Sequence, residues 1–149
     1  MARFGVSPWI AIVLLLTARS VLADTIKVDA LGRDFVQCSA FTHLSAEVYG
    51  RKGNTREQSV RQAASKVFRV WAGVLMDHEA FVSERVAAEQ QVLADFFALS
   101  KSQSPRQNTE TYFSQRTTYC VDLFTRHDPE MRRRVKEFAR KLRESHKSP

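Results

Sequence analysis

From Arg33 onward the apolar residues recur every three or four positions. Phe35, Cys38, Phe41, Leu44 and Val48 therefore fall on one face of a helix. Gly50 and Gly53 bracket Arg51 and Lys52 and stop that helix. Asn54 or Thr55 can cap the next one, whose stripe is Val60, Ala64, Val67, Trp71, Val74 and His78. The same stripe continues through Val82, Val86, Leu93 and Phe96. One helix over residues 55–101 would run about 70 Å, far longer than a compact domain of this size. A turn is expected near Asp77-His78-Glu79, with Asp77 as its cap. The alternative is one long, bent helix that pairs with a second chain.

Lys101 to Ser104 is polar and ends the third segment. Ser104-Pro105-Arg106-Gln107 then starts a helix, with Ser as cap, Pro at the first helical position and Gln three residues after Ser. Tyr112/Phe113, Arg116, Tyr119/Cys120 and Leu123/Phe124 follow at helical spacing. Asp128-Pro129-Glu130 repeats the start signal, and Met131, Val135, Phe138 and Leu142 form the stripe of a last helix over about 128–145. Asp24 to Gly32, with Ile26 and Val28 in alternation, reads as a short extended arm. The pattern predicts an all-α fold, a compact bundle of four to five helices stapled by one disulfide, after a cleaved signal peptide. Thirteen aromatic residues lie after residue 23, most of them on these stripes, so a substantial core is available.

The signal peptide is read over residues 1–23. Arg3 opens it, Trp9 to Ala18 is nearly unbroken apolar sequence, and Val21-Leu22-Ala23 is a small-residue ending before Asp24. A membrane anchor is the rival reading, but a span needs about 20 apolar residues and Arg19 interrupts this run. Residues 24–149 then form a single helical domain, periplasmic or secreted.

Charge sharpens this picture at one end only. The chain has 23 Lys and Arg against 16 Asp and Glu. Residues 24–125 are balanced, and the excess lies in residues 126–149. There Glu130–Arg134, Arg133–Glu137, Glu137–Lys141 and Arg140–Glu144 make i,i+4 pairs. If Asp128 is occupied as a cap, Arg132, Lys136 and Arg143 are left as a flank for an anionic partner: an acidic protein, a lipid head group or lipopolysaccharide. Nucleic acid is disfavoured, because an exported chain rarely meets it and no reading motif is present. The alternative is a solvated face that keeps the chain soluble.

Cys38 and Cys120 are the only cysteines, and in an oxidising compartment they read as one disulfide; two free buried thiols, or a bond to another chain, are the alternatives. A bridge closing so long a loop is a structural device worth about 4 kcal/mol on the chain-entropy model. Catalytic patterns are sparse. His78-Glu79 begins like a zinc-protease motif, but Val82 stands where the second ligand belongs. No haem-attachment motif, phosphate loop or Gly-x-Ser-x-Gly elbow occurs. His43, His78, His127 and His146 have no neighbours at metal-ligand spacing, and no cofactor is expected. His78 in line with the stripe reads as a buried residue at a helix junction. The leading expectation is an exported, non-catalytic interaction protein of inhibitor, immunity or chaperone type, whose partner is another envelope or secreted protein. A binder of anionic envelope lipid, and a small enzyme or ligand carrier whose site assembles only in three dimensions, are the alternatives. A homodimer is compatible with each.

Overall fold

The computed structural model describes residues 8–146, with side chains from residue 30 onward. The described residues form four helices: α1 (Pro8–Arg51), α2 (Thr55–Leu75), α3 (His78–Ser100) and α4 (Pro105–Ser145). The expected signal peptide over residues 1–23 falls outside the residues whose side chains are described. The extended arm expected at Asp24–Gly32 is instead part of α1. Two alternating apolar residues are too short a pattern to hold a strand, and no other strand exists among the described residues to pair with it.

The turns obey local chemistry. Gly53 takes φ +73°, a left-handed conformation that glycine adopts freely, and closes α1. The Asn54 side chain accepts from the Glu57 N–H at 3.1 Å to open α2. Asp77 accepts from the Ala80 N–H at 2.9 Å and opens α3, so residues 55–101 form two helices and not one. Ser104 occupies the cap position of α4 with Pro105 behind it, but its hydroxyl makes no cap hydrogen bond.

The start signal at Asp128-Pro129 is overridden: α4 continues through Pro129. Proline removes an N–H and crowds the preceding turn, at a cost of about 3 kcal/mol in a helix interior. Packing on both sides of it offsets that cost. Cys120 and Leu123 are buried before it, and Met131 after it is 1% exposed. Asp128 is no cap; its two carboxylate oxygens share the single Arg132 Nε–H, each at 2.8 Å. The count is therefore four helices rather than five.

The C-terminal half of α1 is the central element. From Phe35 to Ala46 nearly every side chain is buried, and His43 alone is exposed. A helix apolar on all sides must be covered on all sides, and α2, α3 and α4 all touch it. Small residues let α2 approach closely. Ser39 Oγ donates to the Ser65 carbonyl at 3.1 Å, and Ser65 Oγ donates back to the Ser39 carbonyl at 3.0 Å. At Gly32 a Cβ would lie 2.5 Å from Met76 Cγ, so the end of α2 sits directly on the α1 backbone. Around this seam Phe35 meets Trp71 edge-on at 5.2 Å, and Trp71 stacks on Phe124 at 5.0 Å.

The apolar stripe that unites residues 60–96 divides in space. Trp71 enters the core, but Val60, Val67, Val82, Val86 and Leu93 are exposed. The inward residues are Ser65, Phe68 and Ala72 on α2, and Ala88 and Val92 on α3. Both helices carry a second apolar face, and spacing cannot say which face turns inward.

Candidate ligand groove and basic helix

Cys38 and Cys120 are joined, with 5.6 Å between Cα atoms, and clamp α4 onto the central helix. Both are almost fully buried, which makes the bridge structural. Its Cys120 end forms part of the floor of a groove between α2 and α4.

That groove encloses about 390 Å³. Phe41, Phe68 and Phe124 make its floor with Cys120, while Val60, Val67 and Val121 stand exposed on its walls. It exists because α2 and α4 meet mainly through the Trp71–Phe124 stack, so their outer apolar residues stay apart. One end carries Glu57 and Arg61, which pair at 3.6 Å, and the Arg61 guanidinium lies 4.6 Å from the centre of the Tyr49 ring. Along the same seam lies a second recess, also of about 390 Å³, which shares Val67 with the first. Val70, Trp71 and Val135 line it, and Lys66, Arg132 and Lys136 rim it.

The three cations singled out by sequence thus separate. Arg132 and Lys136 share this recess, but Arg132 is neutralised by Asp128, the pairing that the expected cap role had excluded. Lys136 has no carboxylate at ion-pair distance among the described residues. Arg143 lies on the same side of α4 about 10 Å further along; its Nε donates to the Ala139 carbonyl at 3.2 Å. Of the expected helix pairs, Glu130–Arg134, Glu137–Lys141 and Arg140–Glu144 form, at 2.7, 3.3 and 2.9 Å. Glu137 turns to Lys141 and not to Arg133, and the Lys141 ammonium holds its carboxyl below the usual carboxylate range. Phe138 and Leu142 are 45% and 46% exposed, so the last stripe starts in the core at Met131 and then runs out along the surface.

His78 is a second correction. It is the first residue of α3 and is exposed, because the turn at Asp77 takes it off the inward face of α2. His43 is also exposed, and His127 is half-buried with its ring edge-on to Phe35 at 6.1 Å. Among the described residues, no three His, Cys, Asp or Glu side chains converge as metal ligands.

Spacing within one helix could not reveal the cluster that joins α3 to α4. The Tyr112 hydroxyl donates to Asp95 Oδ2 at 3.3 Å, and Arg116 Nη2 lies 3.8 Å from the same oxygen. Burial pushes the Tyr112 phenol above its ordinary value; Arg116 opposes this and Asp95 adds to it. Tyr119 is raised as well, first by burial and then by its hydrogen bond to Asp34. Lys66 was missed too, because it joins Lys136 only across two helices. The i,i+4 placement of Tyr112 and Arg116 was the one visible hint.

Searches of known protein families, curated proteins and solved structures find no match to this chain.

Proposed function

We propose that the chain is a non-catalytic interaction protein acting outside the cytoplasm. Its disulfide is compatible with that location, and no helix among the described residues is long and apolar enough to cross a membrane. The leader-like pattern of residues 1–23 supports export.

The observation that carries the reading is the outer face of α3. Val82, Val86, Leu93 and Phe97 are 39%, 43%, 44% and 60% exposed. At 100° per residue they fall within an arc of about 60°, on a line about 22 Å long. Four exposed apolar side chains aligned on one side of a helix offer a partner an apolar contact line. Glu79 stands at one end of it, and Glu89 at its edge is paired with Arg85 at 4.0 Å, so the occupant is a protein with an apolar face.

The test is a pull-down with the oxidised protein, run at low and high salt beside a Val86→Glu/Phe97→Glu variant. Both positions are exposed, so the fold should survive the change. A partner held by the wild type through high salt and lost from the variant supports the reading. The same proteins retained by both, or none retained by either, overturns it.

A further inference from the structure

We propose that the seam between α2 and α4 is a binding site for a single-chain anionic amphiphile, a free fatty-acid carboxylate of about twelve to eighteen carbons. Its tail lies over Cys120 and Phe124, and its head reaches Lys66 and Lys136.

Size comes first. Each of the two recesses holds about 390 Å³, and Val67 belongs to both. Small-molecule sites occupy roughly 300–1,000 Å³. Each recess is therefore large enough for a stretch of a single alkyl chain.

Length comes from the walls. Val60 and Val70 mark its two ends on α2, ten residues or about 15 Å apart, and Val121 and Lys136 mark them on α4, fifteen residues or about 22 Å apart. An extended chain advances about 1.2 Å per bond, so about twelve to eighteen bonds span the seam. The walls are chemically matched to such a chain. Val60, Val70 and Val121 are each more than half exposed and have no apolar neighbour on their outer side to cover them.

Charge sets the direction. At the Val60 end Glu57 and Arg61 cancel each other, with Arg61 further held over Tyr49. At the Val70 end Arg132 is cancelled by Asp128, while Lys66 and Lys136 have no carboxylate partner among the described residues. The net positive charge is thus confined to one end of an apolar track, which is the complement of a molecule with one anionic head.

Equilibrium dialysis of the oxidised full chain against dodecanoate and tetradecanoate, below their micellar concentrations, tests this. One saturable site is expected, with dodecanol and hexanoate each bound at least tenfold more weakly. Lys66→Gln/Lys136→Gln should weaken dodecanoate about tenfold. Val121→Glu should abolish binding, since it sets a carboxylate beside the tail on an exposed position. Arg143→Gln and the α3 variant above should change nothing, which keeps this site separate from the α3 reading. Circular dichroism and urea midpoints of every variant guard against misfolding. The proposal is overturned by an absence of saturable binding, by equal losses in Arg143→Gln and the lysine variant, or by retention in Val121→Glu. Adsorption to phosphatidylglycerol vesicles without binding of the free acid would overturn it in favour of a membrane surface.

Discussion

Reducing the Cys38–Cys120 bond should cost about 4.5 kcal/mol. The two residues are 82 apart in sequence. A loop of that size removes roughly 15 cal/mol/K of entropy from the unfolded chain on the loop-closure model, about 4.5 kcal/mol at 25 °C. Domains are stable by only about 5–15 kcal/mol, so the loss is a large share of the total. At about 2.1 cal/mol/K per residue, the roughly 120 residues of the bundle unfold with about 0.25 kcal/mol/K, and Tm should fall by about 18 °C. Urea unfolding of oxidised and reduced protein, followed by circular dichroism, measures the difference directly. The m-value should rise on reduction, because the uncrosslinked unfolded chain exposes more surface. Hydrogen exchange should also show α4 losing protection before α1 and α2, since the Ser39–Ser65 hydrogen bonds still hold α1 to α2. A difference below about 1 kcal/mol with unchanged m would refute the loop-closure reasoning.

Pro129→Ala should stabilise the protein by about 1–3 kcal/mol by restoring a helical N–H in an exposed turn; a loss of stability in urea would mean the helix really begins there. Ser45 is fully buried and its hydroxyl has no partner, so Ser45→Ala should be neutral or gain about 1 kcal/mol, whereas Ser39→Ala should lose about 1 kcal/mol with its bonds to Ser65. Thermal melts of the two variants should therefore move in opposite directions or differ clearly. Tyr112 and Tyr119 keep their protons longer in the folded state than in the unfolded one. Stability from them is thus complete below pH 10 and declines as pH rises through the folded values. Urea midpoints between pH 8 and pH 11 should fall less steeply in Tyr112→Phe/Tyr119→Phe; identical slopes would contradict the assignment.

The helical class, the turns and the cysteine pair were legible along the chain. Asn54, Asp77 and Gly53 act on backbone groups within a few residues, so their effects are local and carry over directly into the fold. With only two cysteines, pairing within the chain had a single solution. Orientation was not legible. Both α2 and α3 have apolar residues on two sides, and only burial against α1 chose Phe68 and Val92 over Val67 and Val86. The same tertiary choice left the rejected sides facing outward, where they became the α2–α4 groove and the α3 strip. Packing at Met131 also outweighed the start signal written at Asp128-Pro129, and that continuity gave Asp128 to Arg132. Local capping energies are about 1 kcal/mol each, while burying one large side chain contributes about 2 kcal/mol or more. Where the two disagreed, the tertiary contacts prevailed.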